Sequence, residues 1–296
     1  MDESASTAAL AEPGVSPLIG ARELLRRLGE AILRVIDVRF ELTEPAVGPA
    51  LYAAGHVPGA VYLNLDRDLA SAPGERGRHP LPDLSELARK LGEHGVGRDH
   101  DVVVYDQDGS MYAARAWWLL RYMGHERVRV LDGGFRAYLA EGGPVTTQVP
   151  PHPATTFGVD VHREMVVDLD EVRSRLGDTG MLLLDARSPE RFRGDTEPLD
   201  PKAGHVPGAI NLPYARSVGP TGMLSPEELR RLYGVEALPA DEDLVAYCGS
   251  GVSAAQLVLA LEVAGLPGVK LYPGSWSEWS RRDDLPVALG EERQRS

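Results

Sequence analysis

Short apolar runs alternate with amphipathic segments along this chain, and the alternation predicts the fold class. Apolar runs with the length of a buried strand occur at 33–39, 101–105, 128–131, 181–187 and 244–247. Segments with apolar residues at helical spacing occur at 18–28, 84–94, 113–122, 133–140, 167–176 and 254–264. Because strands and helices alternate, we predict an α/β protein with mostly parallel sheets that are flanked by helices.

The same order of features occurs twice. A strand that ends in an acid-x-arginine triplet at Asp37 recurs at Asp185, and a Gly-His-Val-Pro-Gly-Ala turn around His56 recurs around His205. A further match pairs Asp132-Gly133-Gly134-Phe135 with Pro273-Gly274-Ser275-Trp276. Matches in one order with nearly constant spacing predict a tandem duplication of one domain. Since the histidines belong to both copies, we expect them to be structural.

The duplication divides the chain into two domains. We expect the first at 17–147 and the second at 159–289, with the proline-rich stretch 148–158 as an extended linker. Residues 1–16 are small and acidic and lack the basic and apolar regions of a secretory signal, so we expect a disordered tail there. A second short tail is expected at 290–296.

Composition narrows the class of protein. The 296 residues carry 44 acidic and 31 basic side chains, a formal net charge of −13, without the basic cluster that nucleic-acid binding requires. The single cysteine excludes an internal disulfide, and the sequence has no Cys and His cluster typical of a metal site. No apolar run approaches the roughly 18–20 residues of a membrane span. We expect a cytoplasmic protein that binds neither nucleic acid nor membrane.

The cysteine lies in a glycine-rich turn. Cys248 ends an apolar run and a helical segment follows, so the turn comprises Cys248 to Ser253. Gly249 and Gly251 alternate with small residues, which allows several backbone N–H groups to converge at the start of the helix and hold an anion. Such a site favours the thiolate, the nucleophilic form of cysteine. The alternative, a buried structural cysteine, does not explain the glycines.

The first domain lacks this nucleophile. When 104–106 is aligned with 246–248, Asp106 takes the position of Cys248, so we predict that the first copy has the same fold but no thiol chemistry.

Two other kinds of site use a similar turn, and the residues of this turn do not fit either of them. A cysteine phosphatase needs an arginine six residues after its cysteine, where this chain has Ala254, and a nucleotide-binding loop needs a Gly-Lys-Ser/Thr ending, which is absent.

Together these motifs resemble one protein family. The two histidine turns, the segment Gly274-Ser275-Trp276-Ser277-Glu278-Trp279 and the loop Cys248-Gly249-Ser250-Gly251-Val252-Ser253 resemble the two-domain rhodanese superfamily of sulfurtransferases, over nearly all of 17–288. The resemblance implies two rhodanese-like domains, the first inactive and the second with a persulfide-forming cysteine. A loop beginning Cys-Gly-Ser-Gly-Val is most similar to the 3-mercaptopyruvate sulfurtransferase branch, whereas thiosulfate-preferring relatives tend to have basic residues directly after the cysteine.

The resemblance also implies how the donor is bound. Arg191 matches an arginine that holds the donor's anionic group, with a surface ion pair as the alternative. The backbone of the loop residues would bind the sulfur; these residues are Gly249, Gly251, Val252 and Ser253. A second donor-binding arginine of better-known mercaptopyruvate enzymes has no counterpart here, which leaves Arg193 and Lys202 as substitutes.

In the mercaptopyruvate branch a serine, a histidine and an aspartate accompany the cysteine. Ser250, His79 and Asp66 match them, although the spacing from Asp66 to His79 is slightly longer than in the relatives. The last two belong to the first domain, so the resemblance implies a site between the domains. A loop histidine that bonds to its own turn is the alternative for His79.

The implied reaction is ping-pong and needs neither metal nor organic cofactor. The Cys248 thiolate would attack the donor's outer sulfur, leaving pyruvate and a persulfide that the loop N–H groups hold. Ser250 and His79 would deliver a proton to the departing enolate. A thiol such as thioredoxin or glutathione, or cyanide, would then accept the sulfur. The alternatives are a thiosulfate:cyanide sulfurtransferase, which releases sulfite, and a non-enzymatic sulfur-carrier or docking module.

Overall fold

The first half of the chain folds around a five-stranded parallel sheet. The structure, a computed structural model, describes residues 16–291, so the tails expected at 1–16 and 290–296 lie almost entirely outside the described residues. The strands are β1 (Leu18–Ile19), β2 (Leu33–Asp37), β3 (Ala60–Tyr62), β4 (Asp101–Tyr105) and β5 (Val128–Leu131). Their order is β1-β5-β4-β2-β3, and each neighbouring pair is parallel.

The second half repeats this arrangement with a four-stranded parallel sheet. Its strands, together with a short antiparallel pair formed by β8 and β9, are β6 (Met181–Asp185), β7 (Ile210–Asn211), β8 (Val218–Gly219), β9 (Gly222–Met223), β10 (Asp243–Tyr247) and β11 (Lys270–Leu271). The order β11-β10-β6-β7 repeats the order β5-β4-β2-β3 of the first sheet.

Helices connect the strands in both halves. In the first half they are α1 (Ala21–Arg27), α2 (Val47–Ala54), α3 (Leu65–Asp68), α4 (Leu84–Glu93), α5 (Met111–Tyr122) and α6 (Gly134–Ala140). In the second half they are α7 (Leu169–Ser174), α8 (Pro189–Arg193), α9 (Pro226–Tyr233), α10 (Ser253–Val263) and α11 (Ser275–Trp279). Turns of 3₁₀ helix lie at Arg163–Met165, Tyr214–Ser217 and Val235–Ala237.

One hydrophobic core cluster extends across both halves, and each half also has a cluster of its own on the other side of its sheet. Helices α5 and α10 pack against each other and join the apolar layers beside both sheets into a single cluster, which includes Trp117 and Trp118 of α5 and Leu257 and Leu261 of α10. All four side chains are almost completely buried. Because both helices are apolar around most of their circumference, each can cover its own sheet and its partner helix at once.

A buried ion pair lies at the end of β2 and again at the end of its counterpart in the second half, β6. Arg39 donates to Asp37 at 2.7 Å after β2, and Arg187 donates to Asp185 at 2.6 Å after β6. Each guanidinium also donates, at 2.7 Å, to the carbonyl oxygen of the glycine that opens the histidine turn. The pair therefore fixes the turn to the sheet in the same way twice, and the predicted duplicated α/β fold is confirmed.

The repeated histidines hold this turn from the other side. His56 and His205 are fully buried, and their Nδ1 atoms lie 2.8 and 2.7 Å from the carbonyl oxygens of Tyr52 and Phe192. Each imidazole stacks on the ring of that same residue, with centroids 3.8 and 3.7 Å apart. Both contacts are what a structural histidine would make, and neither reaches the cysteine turn.

We propose that the domains divide at 17–147 and 159–289. The stretch 148–158 between them lies along the first domain, where the Thr155 N–H donates to the carbonyl oxygen of Gly92 at 2.9 Å. Phe157 at its end is buried. The linker is therefore held by packing and backbone bonds.

Candidate active site

Cys248 lies at the carboxyl end of β10, where the chain turns into α10. The residue is only 1% exposed. The N–H groups of Gly251 and Ser250 donate to its Sγ, with N···S distances of 3.1 and 3.4 Å. Within residues 16–291, three further loop N–H groups donate to no protein acceptor, and they belong to Gly249, Val252 and Ser253. The turn therefore holds the sulfur with two donors and has three more that are unengaged.

The segment after β11 braces this turn. The N–H groups of Trp276 and Ser277 donate to the carbonyl oxygens of Cys248 and Gly249, each at 2.9 Å. Ser275 Oγ accepts the N–H of Cys248 at 3.1 Å. Both backbone polar groups of Cys248, its N–H and its carbonyl, are thus hydrogen-bonded to this segment. Ser275 and Ser277 of the Gly-Ser-Trp-Ser-Glu-Trp motif therefore hold the cysteine turn in place, a role that the sequence did not reveal.

Gly251 gives the turn its shape. Its φ of +78° is in the left-handed region, and a Cβ there would lie 2.4 Å from the carbonyl oxygen of Pro273. Only glycine fits this close approach without displacing the brace. The N–H group that makes the shorter contact to Sγ therefore depends on the absence of a side chain.

The first domain fills its equivalent turn with a carboxylate. Asp106 is buried at the end of β4 and accepts hydrogen bonds from the N–H groups of Ser110, Tyr112 and Ala113 at 3.0, 3.0 and 3.2 Å. Burial raises the pKa of Asp106 to about 6. In this copy the N–H groups of the turn thus donate to the carboxylate of Asp106, which takes the place of the thiol.

A side-chain hydrogen bond links the cysteine turn to the first domain, and an acidic side chain lies next to it. Ser250 Oγ lies 2.8 Å from His79 Nδ1, and His79 Nε2 lies 3.4 Å from Asp66 Oδ1. The predicted serine, histidine and aspartate are therefore adjacent, although they come from both halves. Burial, followed by the positive charges of Arg115 and Arg78, lowers the pKa of His79 to about 4, so its imidazole is neutral at neutral pH.

Two arginines lie over the glycine that follows the cysteine. A Cβ on Gly249 would meet Arg78 Nη2 at 2.7 Å and Arg191 Nη1 at 3.3 Å. Arg191 donates to Glu197 at 2.7 Å and to Asp200 at 3.3 Å, and Arg78 forms an ion pair with the same Asp200. Because both carboxylates are buried, Arg191 is not the surface ion pair of the alternative interpretation.

Arg78 is the functional candidate that sequence reasoning missed. The two substitutes considered there are engaged elsewhere, since Arg193 binds Asp195 and Lys202 donates to the carbonyl oxygen of Arg282 at 2.8 Å. The one feature of the sequence that pointed to Arg78 was its position next to His79. Its ion pair with Asp200 joins positions far apart in the chain, so no local sequence pattern could predict it.

The described part of the chain, residues 16–291, gives no sign of a membrane span or a metal centre. None of its helices has the length and apolarity needed to cross a bilayer. It also contains no group of three or more Cys, His, Asp or Glu side chains arranged to hold a metal ion.

Two segments of the chain, 20–141 and 168–282, match the family of the Rhodanese-like domain. They cover most of the sequence and coincide with the two sheets. The chain therefore belongs to the rhodanese family, with two such domains in tandem. The predicted family is confirmed, and so is the enzyme class of sulfurtransferase, for which similar proteins are named.

The similar proteins named as sulfurtransferases cover both donors considered above. A protein of Pseudomonas aeruginosa named "Probable 3-mercaptopyruvate sulfurtransferase" is 44% identical, over 93% of this chain and 98% of its own length. The "Thiosulfate sulfurtransferase" of Rattus norvegicus is 37% identical, over 84% of this chain and 86% of its own. The crystal structure of SseA from Escherichia coli, described with the rhodanese fold and the mechanism of 3-mercaptopyruvate sulfotransferases, has a TM-score of 0.79 at 30% identity and covers 89% of this chain and 100% of its own.

The protonation of His79 provides a first test of this geometry. We expect its ring protons to titrate with a midpoint near pH 4, well below the usual value of about 6.5, because burial and two arginines disfavour the imidazolium. NMR of protein labelled in its histidines measures this midpoint, and the spectrum of His79→Asn assigns the signal. A midpoint at or above pH 6 would contradict the buried, cation-flanked position.

Proposed function

We propose that this sulfurtransferase takes its sulfur from 3-mercaptopyruvate, carries it as a persulfide on Cys248 and delivers it to a thiol. Three features support this reaction: a thiol held by backbone N–H groups, a Ser250–His79 hydrogen bond with Asp66 close to the histidine, and two guanidiniums that can hold a carboxylate. The residue roles implied by the family resemblance are part of the proposal.

In the first step the Cys248 thiolate attacks the sulfur of the donor's thiol group. An S–S bond forms and the C–S bond breaks, and its electron pair leaves with carbon as the enolate of pyruvate. The enolate takes up one proton to become pyruvate, and the cysteine is left as a persulfide. The unengaged N–H groups of Gly249, Val252 and Ser253 are available to hold the outer sulfur as its negative charge develops.

The hydrogen bond between Ser250 and His79 is the observation that supports 3-mercaptopyruvate as the donor. Pyruvate leaves as a basic enolate, so its departure benefits from a proton donor beside the sulfur. Sulfite, the leaving group from thiosulfate, is a stable anion and needs none. A serine hydroxyl 2.8 Å from a buried, neutral histidine therefore suits 3-mercaptopyruvate better than thiosulfate.

Arg78 and Arg191 would hold the carboxylate of the donor. Asp200 bonds to both guanidiniums and so fixes them before any donor arrives. Gly249 leaves space between the loop and the two guanidiniums, since a Cβ at that position would lie 2.7 Å from Arg78 Nη2. In this chain Arg78 of the first domain and Arg191 of the second thus supply the positive charge next to the loop, whereas thiosulfate-preferring relatives tend to have basic residues in the loop itself.

The second step returns the cysteine to its thiolate. An acceptor thiolate attacks the outer sulfur of the persulfide, forms a new S–S bond and displaces the Cys248 thiolate. We propose a cellular dithiol or thiol such as thioredoxin or glutathione as the acceptor, with cyanide as its substitute in an assay. Because Cys248 must stay reduced between turnovers, a reducing compartment such as the cytoplasm suits the cycle.

Formation of the persulfide is directly measurable. After incubation with 3-mercaptopyruvate, we expect intact-protein mass spectrometry to show one added sulfur, and peptide mapping to assign it to Cys248. The added mass should disappear with thioredoxin or cyanide and should be absent in Cys248→Ser. If no donor adds sulfur to the folded wild-type protein, a pure sulfur-carrier or docking role becomes the better interpretation.

The role of Ser250 and His79 separates the two donors. We expect Ser250→Ala and His79→Asn each to lower kcat with 3-mercaptopyruvate by about 10²- to 10⁴-fold, because the enolate loses its proton source. With thiosulfate the same variants should stay within about threefold of wild type, since their cysteine turn is unchanged. Steady-state kinetics with both donors on one preparation gives the comparison. Equal losses with both donors would refute the donor assignment.

Removal of a guanidinium tests the carboxylate site. Loss of a charged hydrogen bond costs about 1.5–3 kcal/mol, so we expect Arg78→Met to lower kcat/KM for 3-mercaptopyruvate by about 10- to 150-fold, mainly through KM. Arg76→Met is the matched control, since Arg76 lies in the same loop but is exposed, and it should stay within twofold. A KM for Arg78→Met equal to that of the wild type would remove Arg78 from the donor site.

A further inference from the structure

A charged side chain that the proposed reaction does not use is buried between the two domains. Arg115, on α5 of the first domain, has no exposed surface. Its Nη1 donates to the carbonyl oxygen of Gly251 in the cysteine turn at 3.2 Å. Its Nη2 donates at 3.2 Å to the carbonyl oxygen of His79, and its Nε donates at 3.3 Å to that of Leu69. One guanidinium therefore joins the backbone of the cysteine turn to the backbone of the histidine loop.

Arg115 has no carboxylate partner among the described residues 16–291. Every hydrogen bond that it donates ends on a carbonyl oxygen, and none of the ion pairs in that part of the chain includes it. A buried guanidinium without a counter-ion is unfavourable, because carbonyl dipoles only partly replace water. Burial accordingly lowers the pKa of Arg115 to about 10, and the negative charge of Cys248 acts in the opposite direction.

The scaffold does not require a cation at this position. Arg115 is nine residues after Asp106, and the position nine residues after Cys248 in the second copy is Leu257. Both side chains are fully buried on the helices that pack together across the two domains. An apolar residue thus satisfies the packing in one copy, while the copy that faces the thiol carries a positive charge.

We propose that Arg115 is a positioning residue for sulfur transfer, whose guanidinium fixes the cysteine turn against the His79 loop and balances the negative charge of the Cys248 thiolate. This inference rests on the proposed function for its link to catalysis, but the charge balance applies to the thiol itself. Among the described residues, the ionisable groups around the cysteine turn include Arg115 of α5, Arg78 and His79 of the loop before α4, Arg191 of α8 and Tyr214 after β7.

Two substitutions separate the charge from the geometry. Arg115→Gln removes the charge but keeps N–H donors for the carbonyl oxygens. Arg115→Lys keeps the charge but cannot span both loops, because an ammonium lacks the planar fork of a guanidinium. Arg121→Gln is the matched control, since Arg121 lies on the same helix and forms an ion pair with Glu262 of α10 away from the cysteine. Circular dichroism and urea unfolding establish that each variant is folded.

The readout is the pH dependence of alkylation, in which the Cys248 thiolate displaces iodide from iodoacetamide. We expect Arg115→Gln to move the midpoint of this rate upward by about one pH unit, and Arg115→Lys and Arg121→Gln to leave it within 0.3 unit, on the order of experimental error. The titration midpoint of His79 should also rise in Arg115→Gln, because a nearby positive charge is lost. A residue with a merely structural role would change stability without moving either midpoint.

Turnover tests the geometric part. We expect Arg115→Lys to lower kcat for persulfide formation by about 10- to 100-fold with little change in KM, because a small displacement of the histidine loop misaligns the proton donor. An unchanged alkylation midpoint in Arg115→Gln, or full kcat in Arg115→Lys, would overturn the proposal. If Arg115→Gln does not fold, the kcat of Arg115→Lys alone tests the proposal. Alkylation requires no sulfur donor. If the wild-type protein forms no persulfide, the proposed function fails, but the alkylation midpoints still test the role of Arg115.

Discussion

A sulfur atom that is buried away from water can carry negative charge only where fixed dipoles and charges stabilise it, and the surroundings of Cys248 supply both. The backbone N–H groups of Ser250 and Gly251 supply the dipoles. Their direction depends on the left-handed conformation of Gly251 and on the brace that Ser275 and Trp276 form behind the turn. The hydrogen bonds to the sulfur come from the loop's backbone and not from its side chains, which explains why the loop consists of small residues.

The duplication shows which part is scaffold. Both copies have the buried arginine and aspartate pair, the stacked histidine and the turn at the end of the central strand. In the first copy the carboxylate of Asp106 accepts the N–H groups of its own turn, so the turn has no vacancy for a substrate. A single position, occupied by Asp106 or by Cys248, therefore separates a turn that is closed on itself from one that can accept a sulfur atom.

Hydrophobic periodicity was enough to predict the central strands, because β4 and β5 have the predicted bounds 101–105 and 128–131 and both consist of continuous apolar runs. It missed α9, although Ser225 and Glu228 form a capping box that marks the start of a helix. The internal repeat predicted the inactive copy. Arg78 and Arg115 could not be placed, since their partners are carbonyl oxygens and carboxylates brought close only by the packing of α5 on α10. Sequence patterns report local structure, whereas this site is assembled from distant segments.

The cations beside the cysteine turn connect the two domains. Arg191 belongs to the domain that contains the cysteine, whereas Arg78 and Arg115 come from the first domain. Asp200 of the second domain pairs with Arg78, and Gly251 accepts from Arg115, so both contacts cross the interface. Separation of the domains would therefore remove His79 and two positive charges together, along with the hydrogen bond from Arg115 to the cysteine turn and the packing of α5 on α10. In the proposed reaction these are the groups that would bind an anionic donor and protonate the departing enolate, so the second domain alone should not carry it out.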